Sequence, residues 1–116
     1  MRIVSEATLD LYRGPGPCEW CRRKCRQREP HHLWTRGLGG GGRLDVSINL
    51  MALGDAFSCN CHGLVHAGHI TRSDLLAVVS ARERLLQDDI ERAIYELRRL
   101  PKGADPAVVL GRLRRV

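Results

Sequence analysis

The chain has 116 residues, which is enough for one compact domain with room for a helical appendage, and it carries a formal net charge of +6 at pH 7. No apolar run approaches the ~18 residues that would span a bilayer, and no charged-then-apolar leader is found up to Tyr12, so we expect an intracellular protein with no membrane partner. Two Trp, two Tyr and one Phe are too few for a large aromatic core, which favours a bound metal as a source of stability.

The positive charge is concentrated in the first half of the chain. Seven basic residues and one acidic residue fall between positions 22 and 43, whereas ten basic and seven acidic residues mix from position 71 to the end. Mixed charge is typical of solvated helix faces, while a basic segment favours phosphate partners, above all nucleic acid. The alternative for the basic excess is ordinary solubility charge.

The first metal motif follows a short lead-in. Residues 1–13 carry a few apolar positions that do not decide between helix and strand, and the Gly-Pro-Gly-Pro run at 14–17 is a breaker cluster that is expected to end this segment. Cys18-Glu-Trp-Cys21 then has the spacing with which two thiolates hold one Zn²⁺. Because the chain has five cysteines, an odd number, and an intracellular setting is expected, zinc is favoured over disulfides.

Two segments separate this motif from the next cysteines. Residues 30–34 predict a short strand, in which His31 and His32 face opposite sides and therefore suit different tasks, one on a metal and one on a substrate. Five glycines in the six residues 37–42 predict an irregular loop. This run lacks the Lys-Ser/Thr of a phosphate-binding P-loop, so a flexible connection is the better interpretation.

The remaining cysteines offer a second pair of thiolates. Cys59-Asn-Cys61 is expected to complete a four-cysteine structural zinc site with the first pair. Its spacing is unusual, because Ser58 stands where a Cys-x-x-Cys pattern would have its cysteine. Cys25 therefore competes with Cys59 for the fourth ligand position and is otherwise a spare thiol. Buried free thiols are the plain alternative for the whole set.

A short helix is expected to run from Cys61 to Ala67 and to stop at Gly68. His62 and His66 are four residues apart, so on this helix they lie on one face and can chelate one metal ion. A lone pair of this kind is a weak signal, and a chance surface pair is its alternative. Its proximity to the cysteines strengthens the interpretation as a ligand pair.

The C-terminal part predicts helices. Ser73 is the expected N-cap of a long helix that ends before Pro101, and Asp105 and Pro106 start a last short helix. The apolar residues of the long helix recur mostly at helical spacing; they are Leu75, Leu76, Val79, Leu86, Ile90, Ala93, Ile94, Leu97 and Leu100. These helices are interpreted as a layer packed over the core, with a dimer face as the alternative.

Taken together, these motifs resemble the core of an HNH endonuclease. The matching pieces are Cys18-Glu-Trp-Cys21, His31-His32, Arg36-Gly-Leu-Gly-Gly40, Asn49-Leu-Met-Ala-Leu53, Cys61-His62 and His66-Ala-Gly68. The resemblance covers about half of the chain, and it is specific because order, spacing and chemistry agree. The departure is at residues 54–58, where the family runs directly into its second cysteine pair, and it concerns the zinc ligands rather than the histidines.

The resemblance implies an α+β protein with a ββα-metal core, a structural zinc site and C-terminal helices. It divides the chain into a lead-in at 1–17, a nuclease core at 18–70 and a helical extension at 71–116. The implied activity is metal-dependent hydrolysis of DNA phosphodiester bonds, by nicking or double-strand cutting according to oligomeric state. HNH proteins this short often belong to phages or mobile elements, so a homodimer or a phage DNA-processing or packaging partner is expected, in a bacterial or phage-infected cytoplasm.

The resemblance also implies a role for each site residue. His32 would be the general base that takes a proton from the attacking water, a task suited to an imidazole that titrates near ~6.5. His31, His62 and His66 would hold one catalytic divalent ion (Mg²⁺, Mn²⁺, Ni²⁺ or Zn²⁺) at the scissile phosphate. Asn49 would bond the backbone of the loop between the two strands and so hold His32 in register.

Contacts to the DNA backbone are implied for the basic stretch, namely Arg22, Arg23, Lys24, Arg26, Arg28 and Arg36. Two other classes of protein remain as alternatives. One is a zinc-stabilised DNA-binding module without catalysis. The other is a structural protein that holds two zinc ions and binds a partner through its C-terminal helix.

Overall fold

The computed structural model describes residues 1–35 and 42–116, which form a small α+β protein. Within those ranges it has a three-stranded antiparallel sheet, in the order β1-β2-β3, and five helices. In chain order the elements are α1 (Glu6–Asp10), β1 (Gly14–Pro17), β2 (Lys24–His32), a 3-10 turn (Ser47–Asn49), β3 (Leu50–Gly54), α2 (Cys61–His66), α3 (Arg72–Glu83), α4 (Gln87–Arg99) and α5 (Ala107–Leu110). The predicted α+β class is confirmed. Five of the six positions of the predicted glycine loop, 37–41, lie outside the described residues.

The predicted breaker at 14–17 lies after the end of α1 at Asp10, and it also forms the edge strand β1, which was not predicted. Gly14 is paired with Arg28 of β2, and the register is irregular between Gly14 and Gly16. Proline lacks an N–H donor but is tolerated at a sheet edge, and the φ of +76° at Gly14 is a conformation that glycine adopts at low cost. Residues that would stop a helix therefore form a bulged edge strand here.

The central strand β2 is longer than the strand predicted at 30–34 and ends earlier, at His32. It pairs antiparallel with β3, so that Arg28 lies opposite Gly54 and His32 opposite Leu50. Strand β3 is buried along its whole length, and α2 and α3 pack against it. This arrangement places the polar strand β2 between the glycine-rich edge and the buried strand.

The single long helix predicted after Ser73 is wrong, because the structure has two helices, α3 and α4. Helix α3 begins after Thr71, whose side chain accepts the Asp74 N–H while the Asp74 carboxylate accepts the Thr71 N–H. This reciprocal capping makes Thr71, and not Ser73, the N-cap. Arg84 has a φ of +58° and ends α3 in the left-handed conformation.

The turn at Arg84 changes which apolar side chain enters the core. Arg82 and Glu83 are the last residues of α3 and are partly buried. In a continuous helix Leu86 would follow Val79 by seven residues on the same face, whereas the turn at Arg84 buries Leu85 and leaves Leu86 57% exposed. Leu86, which the sequence places among the apolar residues at helical spacing, is therefore exposed, and its neighbour Leu85 is buried.

The helices share one core with the sheet. A continuous cluster of buried side chains includes Leu53 of β3, Leu75 of α3 and Ile90 of α4. Arg82 adds a polar connection, since its guanidinium donates to both carboxylate oxygens of Glu19, at 3.0 and 2.9 Å, and to a backbone carbonyl oxygen of β3. The C-terminal helices therefore stabilise the sheet that carries the candidate site.

The last two helices end and begin close to the predicted positions, and the N-cap of the last helix is shifted by one residue. Helix α4 ends at Arg99, before Pro101, and α5 follows with Pro106 as its N-cap residue. The Asp105 carboxylate still accepts the Ala107 N–H at 3.0 Å, as a capping side chain does. In residues 1–35 and 42–116 we find no helix with the length and apolar character that crossing a membrane requires.

The N-terminal segment is more than a lead-in, because it packs beside the chain that precedes β3. Ile3 forms a parallel bridge with Leu44. Ser5 caps α1 by accepting the Thr8 N–H, and its own N–H donates to the Asp45 carboxylate at 2.8 Å. Residues 1–10 are thereby connected to the surroundings of β2.

Candidate metal centres and functional site

The first cysteine pair lies in the turn between β1 and β2. Its backbone is closed by two hydrogen bonds of 2.9 Å, from the Cys18 N–H to the Arg23 carbonyl and from the Arg22 N–H to the Cys18 carbonyl. Arg22 has a φ of +68°, which completes the tight turn. This local geometry brings the Cys18 and Cys21 sulfurs together, as the Cys-x-x-Cys spacing predicts.

The second cysteine pair, Cys59 and Cys61, follows a compact turn after β3. The Asp55 carbonyl accepts the Asn60 N–H at 2.9 Å, which folds the segment that departs from the family pattern into a short loop. A Cβ at Gly54 would overlap the sulfur of Cys59, so only glycine leaves room for that sulfur. Helix α2 begins at Cys61 and ends at His66, within one residue of the prediction.

Four sulfurs meet between these two turns. The Sγ atoms of Cys18, Cys21, Cys59 and Cys61 all lie within 4.8 Å of one another. Four thiolates arranged tetrahedrally at a Zn–S distance of about 2.3 Å would be roughly 3.8 Å apart, so the group fits a zinc ion without a large rearrangement. The predicted four-cysteine set is thus brought together and can hold a metal ion.

Cys25 is a fifth thiol beside this group. Its Sγ lies 3.7 Å from the Cys59 Sγ, and burial raises the pKa of the Cys25 thiol. Burial acts in the same direction on Cys59, but hydrogen bonds from Cys61 and the neighbouring thiols outweigh it and lower the pKa of Cys59. A lowered pKa favours the thiolate, the form that binds zinc.

Three histidines form a second group on the other side of α2. His31 comes from β2, His62 and His66 come from α2, and one ring nitrogen of each lies within 4.8 Å of the others. The two Nε2 atoms of His62 and His66 are 3.1 Å apart. Two nitrogens that each bind one ion at about 2.0–2.1 Å are roughly 2.9–3.4 Å apart, so this spacing suits shared ligation. The group can hold a divalent ion.

Glu29 is a site residue that the sequence interpretation missed. Its Oε2 lies 2.8 Å from His62 Nδ1, and because a carboxylate only accepts, Nδ1 carries the proton and Nε2 is left to bind a metal. Glu29 precedes His31 by two residues on β2, a spacing that puts both on one face and that could have indicated it. Burial, together with the nearby His62 and His66, lowers the pKa of His31 to about 4, so its imidazole is neutral and ready to ligate.

His32 contacts a different set of groups. Its Nε2 lies 2.7 Å from Asp45 Oδ1, and its side chain is 22% exposed. Burial acts to raise the pKa of the Asp45 carboxyl, but hydrogen bonds from Arg43, His32 and Ser5 outweigh it and lower that pKa to about 2. The adjacent histidines therefore face different partners, as the strand alternation predicts.

A cleft of about 390 Å³ opens beside His32. It is bordered by α1 and by Trp34, and the side chains of Arg13 and Arg43 line it. Glu6 also lines the cleft and forms ion pairs with both arginines, and Arg43 is paired with Asp45 as well. The cleft therefore places a partly exposed imidazole beside a network of paired charges.

Asn49 is fully buried and ties the ends of both strands together. Its Oδ1 accepts the Trp34 N–H at 2.8 Å, and its Nδ2 donates to the carbonyl oxygens of Trp34 and Leu44 at 3.1 and 3.0 Å. The side chain thus replaces a piece of sheet pairing where β2 has ended. This agrees with the predicted role of Asn49 in holding the backbone next to His32.

We expect Asn49→Ala to lower the free energy of unfolding by about 3 kcal/mol, since three buried backbone groups lose their partner. Urea unfolding followed by circular dichroism measures this value. Asn60→Gly is the matched control, because Asn60 is exposed and has a φ of +59° that glycine also adopts. A cost of less than about 1 kcal/mol for Asn49→Ala would contradict the bracing role.

The predicted DNA-contacting residues have unequal surroundings. Exposed side chains at the start of β2 and in the turn before it are Arg22, Arg23, Lys24 and Arg26. The guanidinium of Arg28 instead donates to carbonyl oxygens of residues 13, 14 and 17, at 3.3–3.4 Å, and so ties β1 to β2. Arg36 lies outside the described residues.

Comparisons with known proteins found no relative of this chain. A scan against protein-family models gave no matching family, and searches of curated proteins and of solved structures gave no match. The two clusters and His32 are therefore the features of this chain that indicate its function.

Proposed function

We propose that this chain is a metal-dependent nuclease of the HNH type that hydrolyses phosphodiester bonds in DNA, nicking one strand or cutting both according to its oligomeric state. The proposal is supported above all by one observation. His31, His62 and His66 form a three-nitrogen group, and His32, the next residue on β2, has its own anionic partner and borders an open cleft. The three-histidine group is thus suited to binding a cation, and His32 is suited to proton transfer.

The local architecture is compatible with the ββα arrangement proposed for this site. Strands β2 and β3 are antiparallel neighbours, and α2 follows β3 in the chain and packs against it. The histidines come from β2 and α2, and Asn49 precedes β3 directly. The four-cysteine group lies at the start of α2, so a structural zinc ion there would fix the helix that carries His62 and His66.

In the proposed reaction, each residue has a defined task. The free ring nitrogen of His32 accepts a proton from a water molecule, whose oxygen attacks the phosphorus, and the bond from phosphorus to the 3′-oxygen breaks. Asn49 holds the backbone next to His32, and Glu29 keeps the His62 ring in its orientation. His31, His62 and His66 would hold a divalent ion, which would supply positive charge to stabilise the transition state and the leaving oxygen.

Binding to DNA is proposed to use the exposed basic residues near the first cysteine turn, Arg22, Arg23, Lys24 and Arg26. Contacts of this kind neutralise backbone phosphates and carry no sequence information. A small nuclease that binds in this way would cut with modest sequence preference. Its affinity would fall steeply as the salt concentration rises.

The proposal is tested with supercoiled plasmid DNA. We expect the wild-type protein to convert supercoiled plasmid to the nicked form with Mg²⁺ or Mn²⁺, to stop when EDTA is added, and to resume when the ion is restored. Binding of the same DNA, followed by gel shift, should weaken as the salt concentration rises.

The outcomes separate the candidate functions. Salt-sensitive DNA binding without nicking under any divalent ion would contradict the nuclease proposal and favour the zinc-stabilised binding module. Neither binding nor nicking, together with two zinc ions that resist mild chelation, would favour a structural protein. A three-histidine site exchanges its ion more readily than a site of four thiolates, so metal analysis after dialysis distinguishes the two centres.

A further inference from the structure

Asp45 is a buried carboxylate that belongs to neither metal-binding group. Its side chain has no exposed surface, and it lies thirteen residues after His32 in the chain. A buried charge is costly unless it is fully paired, so a carboxylate kept at this place needs an explanation.

The contacts of Asp45 occupy both of its oxygens. Oδ1 lies 2.7 Å from His32 Nε2 and accepts Arg43 Nε at 2.8 Å. Oδ2 accepts the backbone N–H of Ser5 at 2.8 Å and lies 2.7 Å from Arg43 Nη2. Hydrogen bonds from these donors keep the carboxyl pKa at about 2 against the effect of burial, so the group is an anion that can only accept.

From this geometry we infer that Asp45 is a positioning residue that holds neutral His32 as the Nε2–H tautomer and leaves Nδ1 as its proton-accepting atom. Because Oδ1 cannot donate, the proton in this hydrogen bond resides on Nε2. The free lone pair is then on Nδ1. The catalytic meaning of this assignment rests on the proposed nuclease function, whereas the tautomer itself does not.

The N-terminal segment completes this arrangement. The Ser5 N–H and the Arg43 guanidinium bind the same carboxylate as His32, so the carboxylate has little freedom to turn. Residues at the start of the chain thereby take part in orienting a ring on β2. This role could not be expected from a segment that the sequence presents as a lead-in.

The tautomer can be measured without any activity. In protein labelled with ¹⁵N at the histidine rings, two-bond nitrogen–proton correlation spectra at about pH 8, where an ordinary imidazole is neutral, distinguish protonated from unprotonated nitrogens. We expect His32 to show a protonated Nε2 and an unprotonated Nδ1, with the His32→Ala spectrum giving the assignment. A protonated Nδ1 in the wild-type protein would overturn the inference, whatever the nicking assay shows.

The variant Asp45→Asn adds the link to catalysis. An amide has one acceptor oxygen, so its NH₂ group must face either His32 or the donors of Ser5 and Arg43. We expect a larger Nδ1–H fraction at His32 and a kcat for nicking lowered by at least about tenfold, with KM changed less than about twofold. Asp88→Asn, an exposed change of the same kind on α4, should leave both quantities unchanged.

The two proposals fail in different ways. An Nε2–H tautomer in a wild-type protein that nicks no DNA would overturn the nuclease proposal and leave the assignment of Asp45 intact. An active Asp45→Asn protein with unchanged tautomer and kcat would overturn the positioning role. If Asp45→Asn does not fold, as thermal melting would reveal, the wild-type spectrum alone decides the inference.

Discussion

His32→Ala is expected to lower the nicking rate of supercoiled plasmid by a factor of about 10²–10⁴, because the variant lacks the group that takes the proton from water. This factor corresponds to roughly 3–5 kcal/mol of transition-state stabilisation. His32 is 22% exposed, and its contact with Asp45 engages only Nε2, so the other ring nitrogen is available to a water molecule. The measurement is the initial rate of nicking at saturating divalent ion.

Two comparisons make this prediction specific. His69→Ala is the matched control, since His69 is exposed and lies outside the three-histidine group, and it should nick at the wild-type rate. His66→Ala should lose affinity for the divalent ion in calorimetric titration, whereas His32→Ala should keep it. Equal nicking by His32→Ala and the wild-type protein would rule out His32 as the general base.

Cys18→Ser is expected to abolish both zinc retention and the cooperative thermal transition of the protein. Cys18 is fully buried among the four sulfurs, and a structural zinc site contributes about 10–16 kcal/mol in small zinc domains. That contribution is comparable to the whole stability of a typical domain, about 5–15 kcal/mol. The measurements are zinc content after dialysis and the thermal melt followed by circular dichroism.

Cys25→Ser is the matched control for this change. Cys25 is also buried, and its sulfur lies 3.7 Å from that of Cys59, but it stands outside the group of four. The variant should keep one zinc ion and a cooperative transition, at a modest cost in melting temperature. Loss of zinc from Cys25→Ser with retention in Cys59→Ser would show that Cys25 is the fourth ligand.

Much of the secondary structure could be predicted because it depends on neighbours within a few residues. Helix α2 follows from the spacing of its residues and from Gly68, whose φ is +83°. The division between α3 and α4 was missed, although the charged pair Arg82 and Glu83 interrupts the apolar pattern at that point. Strand β1 was missed for another reason: its glycines and prolines form a strand only because β2 lies beside them.

Parts of the cysteine and histidine clusters could be predicted from local spacing in the sequence. Spacing alone determined that Cys18 and Cys21 can share an ion, and that His62 and His66 lie on one helix face, because a turn or a helix fixes such distances locally. Alternation along a strand likewise separated His31 from His32. The proposal of a metal-dependent nuclease began from these local relations.

The tertiary structure alone decided which distant groups complete the site. Asp45 meets His32 across thirteen residues, and Glu29 meets His62 across thirty-three. The group of four sulfurs contains Cys59 rather than Cys25 because the turn after Gly54 carries it there. Pairings of this kind depend on strand register and on how helices pack, which no local spacing encodes.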